Sequence, residues 1–550
     1  MLNLKSIYFY FLAKKINFIK KIKKIYFKTN LYNNSLKSKT PEQLYFYPNP
    51  FLLSSLTNHK NFSFQISSVV PDMFWGNQPT KKEERNLNNF LWLNLIDRKN
   101  DGSVIQKIIT VWIHNNSKYR NIVWESSIIS KRIISWILNS DIILNNTDNL
   151  FRNNYLQSII VQTNHLKKNV RFEDNHSKKI EVVTAILLTG LVFREYEENF
   201  KQGIKDLEKL TNIFFDSDGF PINRNPEDLI KFSKYLILVK ECIKEAQQLV
   251  PDFLDEIIGK NLICIKSIVT PQNTLPLFNG STENSLENYI SYVEGLNYKF
   301  SKIKTINKVG GLQIMKGKKS FVCFDVDKPP RKNFSNNYQS GPLSFEFFLE
   351  TNKVITNCGF GFNISKKATL LSRLTSAQST LTLNDTSAVK FERNKSLNSA
   401  FGYSVKNEFN VFDYAFNDDP SEIKCTTSHD AYELDFGYHH KRELKINKKD
   451  NTIYGSDILT KKFYKGTIKY NIRFHLYPGI SAVQTLGGKS VLIQLKKNRS
   501  LIFTSINEKI SVEKSIFLGG NKILNNLCIK ISGNTIEKNK SINWEIKKNI

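Results

Sequence analysis

The stretch SHDAYELDFGYHHKREL, Ser428 to Leu444, is answered about thirty residues later by RFHLYPG, Arg473 to Gly479. Both runs alternate as β-strands do, sending successive side chains to opposite faces, and both are dense in His, Asp, Tyr and Arg. On such a strand the adjacent His439 and His440 point opposite ways, so they cannot be ligands of one metal. His440 shares its face with Arg442, and His439 shares the other with Glu443. These runs lie in the later part of a chain whose earlier part reads as helix. A helical domain followed by a long β domain, with polar aromatic and cationic groups on its strands, predicts a protein that grips an extended polar polymer.

Outward from that stretch, the β pattern begins near residue 310. After Gly310-Gly311 come FVCFDV (321–326), LSFEFFL (343–349), KVITNC (353–358), STLTLN (379–384), RELKI (442–446), YNIRFHL (470–476), SVLIQL (490–495) and NLCIKI (526–531). Short alternating runs separated by Asn, Gly, Lys and Asp read as an antiparallel sandwich. From about 104 to 268 the apolar period is instead helical. Leu229, Phe232, Leu236, Val239 and Ile243 keep a three-to-four spacing, as do Leu254, Ile257, Ile258 and Leu262. EVVTAILLTGLVF (181–193) is apolar on nearly every side, which predicts a helix buried in a multi-helix layer. Several helices with short loops suggest antiparallel hairpins stacked in a bundle or a ring. The domains expected are a basic arm over 1–40, a helical domain over 41–310 and a β-sandwich over 311–550.

The arm carries ten lysines and no acidic residue in residues 1–39, interleaved with Ile, Phe, Tyr and Leu. Its longest uncharged run, Ser6–Ala13, is too short to cross a bilayer. Three readings stand: a basic amphipathic helix on an anionic membrane, an uncleaved export signal, or a helix packed on the next domain. Over the whole chain, 79 Lys and Arg against 50 Asp and Glu give a net charge of +29. That balance invites a polyanionic partner, or it reflects drift of composition in an AT-rich genome. No basic-aromatic recognition module supports nucleic acid as the partner. The six cysteines are scattered, with no CxxC and no zinc spacing, and read as small buried hydrophobes.

Two segments of the helical part carry chemistry. Asp174-Asn175-His176 precedes the buried helix, where Asn175 either caps it or, with His176, offers an amide and an imidazole to a carboxylate. DSDGFPINRNPED (216–228) holds an Asp218-Gly219 turn, then Arg224, then Pro226 as a first helical residue behind an Asn225 cap. Arg224 is either a bidentate carboxylate holder or a surface charge. In the β part, His429, Asp430, Tyr432, His439, His440, Arg442 and His475 are structural hydrogen-bonders or site residues. No Walker loop, GxGxxG, HExxH or Ser–His–Asp elbow appears.

The order of DNHSKK (174–179), DGFPINRNPEDL (218–229), PLFNG (276–280), GPLSFEF (341–347), NCG (357–359), SAQSTLTLND (376–385), SHDAYELDFGYHHKREL and RFHLYPG resembles the heparinase II/III-like family of polysaccharide lyases, more closely its alphaproteobacterial cell-envelope branch. The resemblance spans roughly residues 75–535. It implies an N-terminal (α/α) toroid-like helical domain followed by a C-terminal antiparallel β-sandwich. It also implies cleavage of an acidic, uronic-acid-containing polysaccharide by β-elimination. An amide neutralises the sugar carboxylate, and Tyr or His groups move the protons. Carried onto this chain, the catalytic set is Asn175, His176, Tyr338 and His440, and the substrate contacts are Arg224, Asn225, Gln339, His429 and Arg442. The chain departs from the family where Asp228-Leu229 replaces Tyr-His, where Asn337-Tyr338-Gln339 replaces an HxH pair, and where Ala377-Gln378-Ser379-Thr380 replaces an Ala-His sequence. No cofactor is expected, and ligands for the divalent metal of some family members are not evident. The alternative to a lyase is a degenerate glycan-binding protein. Either is expected in the cell envelope, in the periplasm or at the inner-membrane surface, with the cytoplasmic membrane face as the other placement.

Overall fold

The computed structural model of this chain describes residues 4–57, 75, 80–99, 101–463, 465–495, 499–506, 508–535 and 539–549. The principal helices are α1 (Leu4–Tyr26), α2 (Gly102–Asn116), α3 (Ser126–Leu138), α4 (Asn149–Asn169), α5 (His176–Val192), α6 (Glu197–Phe214), α7 (Pro226–Glu245) and α8 (Asp252–Ile268). Contacts divide the chain into two compact units, each discontinuous. One comprises Lys14–Phe215 and Ile230–Gly259; the other comprises Met1–Ala13, Asp216–Leu229 and Lys260–Ile550.

In the helical unit α5 is central and packs on α3, α4 and α6. Every residue from Ile180 to Val192 is buried, as the all-round apolar run predicts. Close approach of α6 rests on two glycines. A Cβ on Gly190 would lie 2.1 Å from the Phe200 nitrogen, and one on Gly203 would lie 2.8 Å from the Leu187 Cβ. A second core joins Phe90, Trp112, Trp136 and Tyr155, with ring centroids 5.2–5.8 Å apart. Into it α3 sends Arg132, fully buried, which donates to Gln162 Oε1, Asn88 O and Val123 O and lies over the Trp112 ring. The predicted stripe on α7, Leu229 to Ile243, is wholly buried.

The other unit carries the strands. They are β1 (Lys308–Val309), β2 (Leu312–Lys316), β3 (Ser320–Asp325), β4 (Phe345–Leu349), β5 (Asn352–Thr356), β6 (Leu381–Leu383), β7 (Val411–Asp418), β8 (Glu422–His429) and β9 (Tyr438–Asn447). They continue with β10 (Ile453–Lys461), β11 (Ile468–Leu476), β12 (Ser481–Gln484), β13 (Ser490–Gln494), β14 (Ser500–Ser505), β15 (Lys509–Phe517), β16 (Leu524–Thr535) and β17 (Asn539–Lys548). A 9-stranded sheet runs β1-β2-β3-β4-β5-β11-β16-β15, with β6 also paired to β11. An 8-stranded sheet runs β12-β13-β14-β17-β10-β9-β8-β7. All pairings named between these strands are antiparallel, as short alternating runs predict. One hydrophobic core draws on both sheets. At its centre Trp544 of β17 stacks on Phe345 of β4 and Phe503 of β14, and meets Phe474 of β11 edge-on. All six cysteines are buried and free.

Gly455 of β10 pairs with Trp544, and a Cβ there would sit 2.0 Å from the indole. The glycine therefore makes the room that lets the ring lie across β10. Gly455→Ala is expected to cost about 1–3 kcal/mol through this overpacking, read as a lower urea midpoint with an unchanged slope. An unchanged midpoint would contradict the packing described.

Candidate functional site

Asn175 and His176 stand at the start of α5. Asn175 is the N-cap: its side-chain Oδ1 accepts from the Lys178 N–H at 3.2 Å, satisfying one of the orphan amides of the first turn. The amide nitrogen takes no part in that cap, and the residue is exposed. The capping alternative raised by the sequence is therefore the one observed, and it uses only the amide oxygen. His176, half-buried, stacks on Phe214 at 5.3 Å, and Phe214 stacks on Phe232 at 4.4 Å. Glu173 accepts from the Asn175 N–H, and burial pushes its carboxyl above the usual range.

Sequence reasoning missed a polar cluster six residues up the same helix, about 9 Å along its axis. Glu181 is fully buried, and its Oε1 lies 2.7 Å from Lys231 Nζ and 3.3 Å from Lys131 Nζ. Burial alone would raise its pKa, but the two ammonium groups outweigh that and hold it below the usual value. Each lysine remains 29% exposed, so the cluster presents cationic side chains around a carboxylate that neutralises only one of them. The available signal was the acidic residue opening an otherwise apolar run, EVVTAILL, which needs a buried partner.

The β-sandwich takes most of the expected site residues inside itself. His440 and Arg442 do share the inward face of β9, with His439 on the outer face bonded to Glu433. His429 and His440 are paired in register on β8 and β9, and both are fully buried. The hydrogen bonds fix their tautomers. The Ala431 N–H donates to His429 Nδ1, so the His429 proton is on Nε2 and is donated to His440 Nδ1 at 3.1 Å. The His440 proton is then on Nε2 and goes to Asp457 Oδ1 at 2.8 Å. Burial holds both imidazoles below their ordinary pKa, Asp457 only partly offsetting this at His440. Arg442 Nε also binds Asp457, and its Nη1 binds Leu343 O and Ser379 O. His429, His440 and Arg442 are thus interior members of one network, and the expectations that His440 is catalytic and that His429 and Arg442 contact substrate are corrected.

The same correction applies to four residues outside β9. Arg224 adopts a left-handed φ of 59° and spends all five donors on Asp325 and on the carbonyls of Gly310, Gly311, Asp327 and Lys328. It pins the 216–229 segment to the β-rich unit and has no hydrogen left for a sugar carboxylate. Asn225 is buried and caps α7 by accepting from the Glu227 N–H, with Pro226 as first helical residue, both as predicted. Gln339 is saturated by the Gly280 N–H and the carbonyls of Gly359 and Ser372. Tyr338 is fully buried against Val389, Val405 and Phe409. Among the described residues its hydroxyl has no hydrogen-bond partner, and burial pushes its pKa far up, which removes it as a base. Gln378, at a position where the family resemblance expects His, donates to Ser372 O. Among the described residues no group of three or more His, Cys, Asp or Glu is placed to hold a metal ion.

Residues 307–545 match the family model for the heparinase II/III-like C-terminal domain. Among curated proteins no sequence matches the chain. Among solved structures, a mutant of the heparan sulfate lyase HepC from Pedobacter heparinus aligns with a TM-score of 0.65 at 14% identity, over 91% of this chain and 82% of its own. A heparinase III aligns with a TM-score of 0.66 at 13% identity, over 98% of this chain and 91% of its own. At such identities the likeness establishes the fold: a helical region followed by antiparallel β-sheets.

His475 of β11 is buried and neutral by the same logic, donating from Nε2 to Ser376 O and accepting at Nδ1 from Ser515. Burial lowers its pKa to about 4. An unfolded chain, with an imidazole pKa of about 6.5, binds more protons below that pH than the folded one. The stability from this group is therefore complete above pH ~6.5 and is lost as pH falls toward 4, on the order of 2 kcal/mol at pH 5. Urea midpoints measured between pH 4 and 7.5 are expected to fall more steeply with acid in the native protein than in His475→Gln. Identical slopes would reject the assignment.

Proposed function

We propose, from the premise that residues 307–545 form a heparinase II/III-like C-terminal domain, that this chain is a polysaccharide lyase acting on an acidic, uronate-containing polymer. The observation that carries the reading is the divided amide of Asn175. Its oxygen is tied to the helix cap, and its NH2 stands exposed at the positive end of a 17-residue helix beside an imidazole. In β-elimination the C5–H bond breaks, its electron pair forms the C4=C5 double bond, and the C4–O4 bond breaks with protonation of O4. Charge grows on the carboxylate as the C5 proton leaves, and the Asn175 amide with the α5 amino end stabilises it there. His176 is the neighbouring group able to take the proton. The net charge of +29 suits a polyanionic chain.

A second reading has its own observation. Tyr338 and His440 are interior, and Asp228, Gln339 and Gln378 stand where the family resemblance expects imidazole or phenol. A member that binds an acidic glycan of the cell envelope without cleaving it would have that pattern.

Incubation with a panel of uronate polymers, following the ultraviolet absorbance of the unsaturated product, separates the two. The lyase reading expects turnover in the native protein, with kcat/KM lowered about 10²–10³-fold in Asn175→Ala. It expects a loss of about 10²-fold or more in His176→Ala, with glycan binding retained. Glycan binding without product on any polymer would replace this reading with the second.

A further inference from the structure

We infer that α1 is an interfacial helix that lies on an anionic lipid surface. Its two sides are occupied differently. One side is committed to the protein: Ala13 is fully buried, and Phe9 meets Phe401 edge-on at 6.3 Å with Lys332 over its ring. Just beyond the helix, Phe27 packs on Tyr32 and Tyr119.

The opposite side is bare. Tyr8, Phe11, Phe18, Ile22 and Ile25 recur at spacings of three, seven, four and three, which places them on one stripe of a 3.6-residue helix, roughly 25 Å long. Phe11 is 66% exposed, Phe18 63% and Ile25 71%. Ile7, Ile19 and Tyr26 widen the stripe and are exposed as well. Single exposed apolar residues are ordinary, but a continuous aromatic and aliphatic stripe marks a surface with an occupant.

The charges decide which occupant. Lys14, Lys21 and, past the helix end, Lys28 recur every seven residues along one flank, all exposed. Lys15 alone interrupts the stripe, and its four-carbon stem lets the ammonium rise to a headgroup while the methylenes stay among apolar neighbours. Residues 1–39 carry ten lysines and no Asp or Glu, so the helix itself is uniformly cationic. A second copy of the helix would set lysine row against lysine row, whereas anionic headgroups above an acyl boundary match both the cations and the apolar stripe. No described helix is long and apolar enough to cross a membrane, so the contact is one of lying on the surface. The arrangement would hold the chain at an envelope membrane, independently of whether it cleaves a glycan.

Flotation of the whole protein with vesicles tests this. Vesicles of phosphatidylglycerol and phosphatidylcholine are expected to carry it, vesicles of phosphatidylcholine alone are not, and added salt should release it. Phe11→Ser/Phe18→Ser and Lys14→Glu/Lys21→Glu should each weaken binding at least tenfold while circular dichroism and thermal melting stay native. The exposure of all four side chains makes that expected. Three results would overturn the inference: no recovery with anionic vesicles, equal binding to the neutral ones, or undiminished binding by both variants. A native dimer that dissociates in the Phe variant would assign the stripe to self-association instead.

Discussion

The carboxylate of Asp457 is the constraint around which the β-sandwich is arranged. It is fully buried, where an isolated charge would be prohibitive, and it is kept ionised by what surrounds it. Burial pushes its pKa up, but Arg442 and the His440 hydrogen bond outweigh that and hold it well below the carboxylate range. Its other oxygen accepts from the Trp544 indole. Three groups from β9 and β17 therefore converge on one charge of β10, and Arg442 extends the network to Leu343 O and Ser379 O. A network of this kind contributes chiefly by making every alternative arrangement leave a buried ion or polar group unpaired.

That arrangement has a chemical consequence. Two imidazoles that look like proton-transfer groups in the sequence are spent as a directional relay of hydrogen bonds ending on Asp457, and each is neutral because a second ring proton would meet the donor that already faces its Nδ1. The Tyr338 phenol is taken out of use differently, by burial among Val389, Val405 and Phe409. What stays at the surface is the start of α5, where the cap geometry itself divides Asn175 into a structural oxygen and an available NH2.

Arg224 shows the same logic on the segment 216–229. A left-handed backbone at a non-glycine residue is tolerated because the guanidinium closes on Asp325 and four carbonyls. Gly311 and Gly310 leave the room, since a Cβ on either would strike Arg224 or Phe220. The segment separates α6 from α7 in sequence yet belongs to the β-rich unit. Its role is to hold the segment against the strands, with all five guanidinium hydrogens spent on Asp325 and the four carbonyls.

What the sequence determined by itself was everything governed by local period and capping. The all-round apolar run made α5 a central helix, Asn175 and Asn225 capped where amides needed an acceptor, and strict alternation fixed that His440 and Arg442 share a face of β9. The likeness of motif order to heparinase II/III-like proteins was equally legible, because turn and strand signatures survive where identity is low. Tertiary structure decided which face of β9 is inside, since alternation says only that two faces differ. It also decided that Arg224 faces Asp325, a partner more than a hundred residues away, and that Glu181 needs two lysines. Those outcomes depend on desolvation and on partners brought together by sheet and helix packing, and neither is written in the spacing of residues along the chain.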